Sequence, residues 1–315
     1  MPVTAIAHPN IALTKYWGKA DVSRNVPATP SLSITLSELY TRTTVTLLET
    51  GAPDQIWLNG KATQDPKISA CVDRMRALGK TRAGVEIQTE NNFPTAAGLA
   101  SSASGLAALV TALDAAFDLR LAIDELAEQA RLGSASAARS LFGGFAALVE
   151  DQAWQHAPAP HWPLSVVVAV CTRQPKSISS SQGMRRSAET SPLYPRWVAT
   201  ASADFDQACA AVDDRNFTLL GQCAEHSCLK MHAVMLSSTP SLLYWNQATM
   251  ACMQAVRDLR SDGVPVFFTI DAGPQVKAVC LPEAEGAVAE RLATQPGVAQ
   301  VLRSRLGPAP VIQRN

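Results

Sequence analysis

The chain has 315 residues, of which 47% are hydrophobic and 17% are charged. This length and composition predict a globular protein with enough core for one large domain or two modest ones. Lysine plus arginine equals aspartate plus glutamate at 27 each, so no field of the whole molecule draws it toward nucleic acid or an anionic membrane. Any anion site must therefore be local, and the partner we expect is a small molecule.

The seven cysteines are scattered and never have the spacing Cys-x-x-Cys. This pattern disfavours a disulfide framework and a zinc site, and it favours a reducing cytoplasm. The first residues lack a basic stretch followed by a long apolar core, and no apolar run reaches about 18 residues. The sequence therefore predicts a cytoplasmic protein that is neither secreted nor bound in a membrane.

A strand is predicted at 3–7, and a segment rich in cationic and aromatic residues follows it. In this segment two lysines surround two aromatic residues and a glycine: Lys15, Tyr16, Trp17, Gly18 and Lys19. Two ammonium groups close to aromatic rings and a glycine suit the binding of a phosphorylated ligand. A strand end with two solvated lysines explains the same residues equally well.

Alternating apolar and β-branched residues indicate the next strands. The pattern at 26–50 is typical of two paired strands. A further short strand at 55–59 ends at Asn59-Gly60, a dipeptide that favours a tight turn.

The first predicted helix begins with Asp65 as its N-cap and Pro66 as its first residue. Lys67 lies in the first turn, where a positive charge opposes the helix dipole. A bound anion would relieve that repulsion, so Lys67 is a candidate phosphate contact. The alternative is an exposed lysine that tolerates the dipole.

A strand at 85–88 leads into the stretch ENNFPTAAGLASSASG at 90–105, around which the chain is organised. Small residues let backbone N–H groups approach a phosphate, and the helix predicted at 105–117 has unpaired N–H groups and a dipole at its start. The stretch lacks the spacing of a Walker loop and of a dinucleotide-binding fingerprint. It is a candidate phosphate-binding loop, with an ordinary serine-capped helix as the alternative.

A second small-residue segment follows a helix predicted at 123–132. In the run GSASAARSLFGG, Ser134, Ser136 and Arg139 fall near the start of a short helix. Two hydroxyls and a guanidinium in that position suit a carboxylate or a phosphate. A helix of small residues that packs closely against its neighbours is the alternative.

The middle of the chain is predicted to contain a Pro- and Trp-rich loop at 151–163 and a buried strand at 164–172. His156 and His161 in the loop have no partners at metal-ligand spacing, so we expect surface histidines. Residues 188–260 are mostly helical by pattern, and His232 among them is expected to pack or to support the site rather than to catalyse.

The last element that matters for function is a β-branched and aromatic strand at 264–270, which ends at Asp271. A carboxylate directly after a buried strand, beside the turn Ala272-Gly273-Pro274, can be held rigidly over a cleft. A turn-initiating aspartate is the alternative.

Five segments of the chain, in the same order, resemble the mevalonate diphosphate decarboxylase family of the GHMP kinase superfamily. The matching runs are NIALTKYWGK, ENNFPTAAGLASS, GSASAARSLFGG, KSISSSQGM and TIDAGPQV. The resemblance implies an α+β fold of the GHMP type in two parts, with the active-site cleft between an N-terminal nucleotide-binding domain at 1–170 and a C-terminal domain at 171–315. It also implies a homodimer.

The resemblance further implies the roles of individual residues. Asp271 would act on the tertiary hydroxyl of the substrate as a base, Lys15 would lie in the reaction centre, and Arg139 would hold the substrate carboxylate. The substrate contacts implied are Tyr16, Trp17, Gly18, Lys19, Lys67, Ser134, Ala135, Ser136, Ala137, Ala138, Arg139 and Ser181. The ATP contacts implied are Ala97, Gly98, Leu99, Ala100, Ser101, Ser102 and Lys176. Mg²⁺ is expected to arrive with ATP, with the Ser101 hydroxyl as the candidate protein ligand.

The chain departs from the family pattern at two positions within these runs, Ala135 and Ala138, and at four positions outside them, Ala28, Thr29, Pro30 and Lys67. The family usually has arginine where this chain has Lys67. Lysine keeps the positive charge but loses the bidentate fork, so the number of phosphates on the substrate stays open.

The reaction implied is the ATP-dependent decarboxylation of mevalonate 5-diphosphate to isopentenyl diphosphate, with release of ADP, phosphate and CO₂. Three alternatives remain: a decarboxylase of the 5-monophosphate, a mevalonate 3-kinase that does not decarboxylate, and a non-catalytic binding protein on the same scaffold. The joint presence of Lys15, Arg139 and Asp271 argues against the last two.

Overall fold

The computed structural model describes residues 1–93, 101–174 and 176–313 and contains α-helices, β-strands and two single 3-10 turns. The strands are β1 (Val3–Ala7), β2 (Asn10–Ala12), β3 (Lys19–Asp21), β4 (Val26–Pro27), β5 (Ser31–Thr35), β6 (Thr41–Thr50), β7 (Gln55–Leu58), β8 (Lys61–Ala62), β9 (Ala83–Asn91), β10 (Phe145–Val149), β11 (Gln152–Ala157), β12 (Ser165–Val170), β13 (Val266–Ile270), β14 (Val276–Cys280), β15 (Gln300–Arg305) and β16 (Val311–Gln313). The helices are α1 (Pro66–Leu78), α2 (Ser101–Ala116), α3 (Ile123–Gly133), α4 (Ala135–Arg139), α5 (Ser180–Thr190), α6 (Tyr194–Asp213), α7 (Phe217–Leu236), α8 (Gln247–Ser261) and α9 (Glu285–Ala293).

Three larger sheets and one hairpin organise these elements. The first sheet has the order β16-β1-β6-β9-β7-β8, the second β11-β10-β5-β2, and the third β13-β14-β12-β15, while β3 and β4 form the hairpin. Within the described residues the pairing is antiparallel except between β7 and β9, which α1 connects. The predicted α+β class is confirmed.

Helices and sheets alternate as layers with a separate core between each pair. Helices α2, α3 and α4 pack between the first and second sheets through alanine- and leucine-rich faces. Helices α6 and α7 share a core with the second and third sheets, and α8 and α9 cover the other face of the third sheet. Since β12 is apolar on both of its faces, it is buried throughout, as its unbroken run SVVVAV predicts.

Several local predictions agree with the structure. The side chain of Asp65 caps α1 by accepting from the backbone N–H of Lys67 at 2.8 Å, with Pro66 as the first helical residue. Asn59 and Gly60 both have positive φ, as the predicted turn requires.

Three local predictions were wrong. The strands within 26–50 do not pair with each other, because β5 joins the second sheet and β6 joins the first. The predicted loop at 151–163 contains β11, which pairs antiparallel with β10 and buries Ala153 and Ala157. Within the described residues helix α2 already includes Ser101, four residues before the predicted start at Gly105, and the hydroxyl of the buried Ser104 lies 2.6 Å from that of Thr41.

No helix among the described residues is both long enough and apolar enough to cross a bilayer.

Candidate active site

A cleft of about 560 Å³ lies between elements from both halves of the chain. The segment after β2, the start of α2, helix α4, the start of α5 and the end of β13 all contribute to its walls. Lys15, Arg139 and Asp271 line this one cleft, as the sequence predicts. Their backbones are far apart in sequence, so only the fold brings these charges together.

Asp271 is the centre of a charge cluster at the floor of the cleft. Lys15 donates from Nζ to Oδ1 of Asp271 at 2.6 Å, and Nζ of Lys277 lies 3.0 Å from Oδ2. The side chains of Lys15 and Lys277 are 1% and 0% exposed, whereas that of Asp271 is 28% exposed. The carboxylate is therefore exposed to the cleft, while the side chains of both lysines are almost fully buried.

These ion pairs set the protonation states of the cluster. Burial alone would raise the pKa of Asp271, but the charges and hydrogen bonds of Lys15 and Lys277 hold that pKa well below its usual range. Burial lowers the pKa of Lys15, and the negative charge of Asp271 opposes that effect. Asp271 is thus an ionised carboxylate at neutral pH.

Arg139 is held rigidly in the opposite wall, where it is only 3% exposed. Its Nε contacts the hydroxyl of Ser33 at 3.0 Å, one terminal nitrogen contacts Ser31 at 2.5 Å, and the other donates to Oδ1 of Asn10 at 3.1 Å. Asn10 in turn donates to the carbonyl of Ser136 at 2.9 Å, which ties the cradle to α4. Burial lowers the pKa of Arg139 to about 10, so the guanidinium stays charged at neutral pH.

The contacts of Arg139 leave room for a ligand. A guanidinium carries two N–H groups on each terminal nitrogen, and the contacts to described residues use one on each. Because Arg139 also lines the cleft, the remaining N–H groups are candidates for binding a carboxylate.

A cationic and hydroxyl-rich end of the cleft is built by other predicted residues. Lys19 and Lys67 both line the cleft, and burial together with the positive charge of Lys67 lowers the pKa of Lys19. The hydroxyls of Ser134 and Ser136 are 3.2 Å apart, and Ser181 lies in the first turn of α5. This end suits a polyanion because it combines two cations with several donors.

Lys176 lies between that end and the charge cluster. Its Nζ donates to Oγ of Ser180 at 2.7 Å and to the carbonyl of Ala272 at 3.2 Å, and it lies 5.9 Å from the ring centre of Tyr244. Burial lowers the pKa of Lys176 to about 8, partly opposed by Asp271. Ser101 and Ser102 also line the cleft, whereas Ala97, Gly98, Leu99 and Ala100 lie outside the described residues.

Some predicted contacts face the protein interior. The side chains of Ala137 and Ala138 pack in the core beneath α4, and Ala135, at the edge of the cleft, is also buried. Trp17 borders the cleft but is 1% exposed, and its carbonyl accepts from Nε1 of Trp197 at 2.8 Å. Tyr16 borders the cleft as well, and its burial raises the pKa of the phenol.

Gly18 does not line the cleft, but its position in the backbone requires a glycine. Its φ is +113°, and a Cβ built there would lie 2.0 Å from the hydroxyl oxygen of Tyr194. Only glycine fits both the backbone conformation and the contact.

Sequence reasoning missed the residues that hold the site in place. Lys277 was the one with a usable signal, because it is a lone lysine within the apolar run VKAVC. Asn10, Ser31 and Ser33 carry no such signal, since their role depends on a guanidinium more than 100 residues away. The Oγ of Ser227 accepts from the backbone N–H of Lys15 at 2.9 Å. No sequence pattern indicates this contact either.

The histidines differ from each other in their surroundings. His232 is buried and accepts from Nε1 of Trp245 at 3.2 Å, and burial lowers its pKa to about 3, which agrees with the predicted packing role. His156 was expected at the surface, but its Nε2 lies 3.0 Å from Oδ1 of Asp213 and its side chain is 15% exposed.

A second hollow of about 350 Å³ lies over β7 and β9, away from this cluster. Its described lining includes Glu86 and Glu90 and no lysine or arginine. It therefore suits an anionic ligand poorly, and the cationic cleft is the better candidate for the active site.

Both halves of the chain match models of known protein domains, and the matched ranges include the charged residues of the cleft. Residues 7–159 match the model of the diphosphomevalonate decarboxylase-like N-terminal domain, and residues 166–302 match that of the mevalonate 5-diphosphate decarboxylase C-terminal domain. This chain belongs to the diphosphomevalonate decarboxylase family. The N-terminal match includes Lys15 and Arg139, and the C-terminal match includes Asp271 and Lys277.

Individual members of this family are similar over most of their length. The diphosphomevalonate decarboxylase of Candida albicans is 38% identical over 293 residues, covering 84% of this chain and 80% of that protein. The crystal structure of mevalonate diphosphate decarboxylase from Staphylococcus aureus is 36% identical, with a TM-score of 0.92 over 99% of this chain and 98% of that one. A solved structure of MDDEF in complex with MVAPP, AMPPCP and magnesium is 35% identical, with a TM-score of 0.92 over 100% and 99%. The predicted family and GHMP-type fold are confirmed.

Proposed function

We propose that this protein catalyses the ATP-dependent decarboxylation of mevalonate 5-diphosphate to isopentenyl diphosphate, with release of ADP, phosphate and CO₂. The observation that carries the proposal is the convergence of Lys15, Asp271 and Arg139 in one cleft. Relatives that bear this family's name share the fold over nearly the whole chain.

The first step needs a group that directs the tertiary hydroxyl of the substrate. Asp271 faces the cleft as an ionised carboxylate, so it can accept a hydrogen bond from that hydroxyl. Its lowered pKa makes it a weak base, and we infer that it takes up the proton late, as the bond to phosphorus forms. This fits phosphoryl transfer, where positioning and charge stabilisation contribute most.

The cations of the cleft offset the charge that develops during transfer. Lys15 lies beside Asp271 and can also reach a phosphoryl group above it, and Lys176 lies on the same side of the cleft. The ion pair with Asp271 favours the charged form of Lys15, and a pKa of about 8 keeps Lys176 mostly protonated at neutral pH. This positive charge favours the pentavalent or metaphosphate-like transition state. Arg139 is the residue suited to the substrate carboxylate, because it lines the cleft and its guanidinium is held by Ser33 and Asn10.

The residues fit ATP and Mg²⁺ as co-substrate and metal. The structure of MDDEF named above contains AMPPCP and magnesium. The described residues contain no group of three or more His, Cys, Asp or Glu side chains placed to hold a metal, so Mg²⁺ would bind through phosphate oxygens and the Ser101 hydroxyl. When bound, Mg²⁺ neutralises negative charge on the phosphates.

The phosphorylated tail of the substrate fits the end built by Lys19, Lys67, Ser134, Ser136 and Ser181. Two ammonium groups that line the same cleft favour the diphosphate over the monophosphate, because the second phosphate brings additional negative charge. A decarboxylase of the 5-monophosphate is the second candidate, since lysine at position 67 lacks the bidentate fork of arginine.

An ADP-release assay tests the proposal and separates it from its rivals. We expect kcat/KM to be highest with mevalonate 5-diphosphate, lower with the 5-phosphate and lowest with mevalonate. A preference for the 5-phosphate would favour the second candidate. Absence of ADP release with all three would support a non-catalytic protein.

Three further expectations are part of the proposal. We propose a homodimer, which light scattering would report as twice the 33.5 kDa of one chain. We propose a cytoplasmic location, because all described cysteines are free. We also propose a division between the two domains near residue 170.

A further inference from the structure

Lys277 occupies a position that would ordinarily be apolar. It lies in β14, where Val276, Ala278, Val279 and Cys280 are all fully buried, and its own side chain is 0% exposed. Burying an ammonium group is costly unless it is paired. Nζ of Lys277 has the carboxylate of Asp271 at 3.0 Å as a partner.

Lys15 and Lys277 each contact a different oxygen of the Asp271 carboxylate. Lys15 takes Oδ1 of Asp271 from the cleft side, and Lys277 takes Oδ2 from within the third sheet. In the antiparallel pairing of β14 with β13, Lys277 lies opposite Thr269. Thr269 precedes Asp271 by two residues. The sheet register therefore fixes the distance between the lysine and the carboxylate.

The two lysines differ in what else they can reach. Lys15 lines the cleft, so a phosphoryl group placed there competes with Asp271 for its ammonium. Lys277 belongs to the buried sheet and is not among the residues that line the cleft. Its hold on Oδ2 is the same whether or not the cleft is filled.

We propose that Lys277 is a positioning residue that holds Asp271 in its reactive orientation and in its ionised form while Lys15 turns toward the phosphoryl group. This inference rests on the proposed function and adds to it the device that keeps Asp271 in place. The rival interpretation is that Lys277 serves only the stability of the sheet.

The variant Lys277→Met separates the two interpretations, because methionine has a similar length and is apolar like its neighbours. We expect kcat to fall about ten- to hundredfold and KM for mevalonate 5-diphosphate to stay within about threefold, since Lys277 does not touch the cleft. We expect the acidic limb of the kcat profile to move to higher pH, because one of the two cations that lower the pKa of Asp271 is gone. In an Asp271→Asn background, Lys277→Met should lower kcat no further.

A matched control is Lys230→Met. Lys230 pairs with Asp204 at 2.6 Å between α7 and α6, is partly buried, and is not among the residues that line the cleft. This variant should lower the melting temperature and leave kcat and its pH profile unchanged. Lys277→Met must differ from this control both in kcat and in the pH profile of kcat.

A folded Lys277→Met enzyme with the kcat and pH profile of the wild type would overturn the inference. An equal further loss of kcat in the Asp271→Asn background would overturn it as well.

If Lys277→Met does not fold, Lys277→Gln replaces it. Glutamine keeps a donor for Oδ2 and removes the charge, so the acidic limb must still move, and an unmoved limb would overturn the inference. Wild-type enzyme assayed alongside separates the two failures, since an inactive wild type contradicts the proposed function and an active one confines the failure to Lys277.

Discussion

At the scale of single residues, the chemistry of the cleft depends on charges that the fold keeps unhydrated. Arg139 and Lys15 are almost fully buried, yet each has polar partners that satisfy it: the Asn10 and serine cradle for Arg139, and Asp271 for Lys15. Groups held in this way need little reorganisation when a charged substrate arrives.

The first prediction concerns Arg139. Arg139→Lys keeps the positive charge but cannot present two parallel N–H groups, so we expect kcat/KM to fall about 10- to 100-fold, as for one lost hydrogen bond to a charged group. Steady-state ADP release measures this. Turnover equal to that of the wild type would remove Arg139 from the role of carboxylate receptor.

The second prediction concerns the pH dependence of nucleotide binding. Burial lowers the pKa of Lys176 to about 8, so its positive charge is present below that pH and is lost as the pH rises through it. We expect kcat/KM for ATP to decline above pH 8 in the wild type. Lys176→Arg should remove the decline, because arginine stays charged throughout. A decline that persists unchanged in Lys176→Arg would assign it to another group.

Acid should weaken the fold through Asp271. Because its pKa is lowered in the folded state, its ion pairs contribute fully above the usual aspartate pKa of about 4. That contribution is lost as the pH falls further, toward the lowered pKa.

The sequence predicted that Lys15, Arg139 and Asp271 share one cleft, but it did not predict the residues that hold them there. Lys15, Arg139 and Asp271 lie in recognisable motifs, whereas the contacts that fix them join residues 256 apart for Lys15 with Asp271 and 129 apart for Arg139 with Asn10. Such long-range contacts leave no local pattern.

At the scale of elements, local chemistry determined most of the boundaries. The cap at Asp65 and the turn at Asn59 depend on neighbours within three residues, so the sequence predicted both. The pairing of β5 and the existence of β11 depend on partner strands in other segments. An alternating pattern predicts a strand but does not indicate which strand it pairs with.

The third prediction concerns the turn before β3. Gly18→Ala introduces a Cβ that meets Tyr194 at 2.0 Å and strains a backbone with φ of +113°. Gly51→Ala is the matched control, because Gly51 has φ of +83° and nothing within 4 Å of its Cβ position. We expect the control to lose about 1 kcal/mol of unfolding free energy from strain alone and Gly18→Ala to lose clearly more. Equal losses in urea titration would show that the contact with Tyr194 is relieved at no cost.

At the scale of the whole molecule, the two halves are tied together at the cleft. The hydroxyl of Thr269 donates to the carbonyl of Ala12 at 3.1 Å, and that carbonyl also accepts from Nζ of Lys15. The matched N-terminal model ends at 159 and the C-terminal one begins at 166, while β12 at 165–170 lies in the third sheet. The division near residue 170 stays a prediction.

The fourth prediction concerns β16, which returns from the C-terminal half to the edge of the first sheet. Its Ile312 pairs with Ala5 of β1 and packs on the core between the first sheet and α2. A chain that stops after Pro308 exposes β1, so we expect a loss of roughly 1–4 kcal/mol from a few hydrogen bonds and one apolar side chain. An unchanged urea midpoint would contradict this role for β16.

The central claim is that phosphoryl transfer and decarboxylation are coupled in this one cleft. A single-turnover reaction with ATP and mevalonate 5-diphosphate labelled with ¹⁴C at its carboxyl carbon tests it most directly, by counting ADP and ¹⁴CO₂ together. The account predicts equal amounts of the two products. ADP formed without ¹⁴CO₂ would contradict it and would make the protein a kinase.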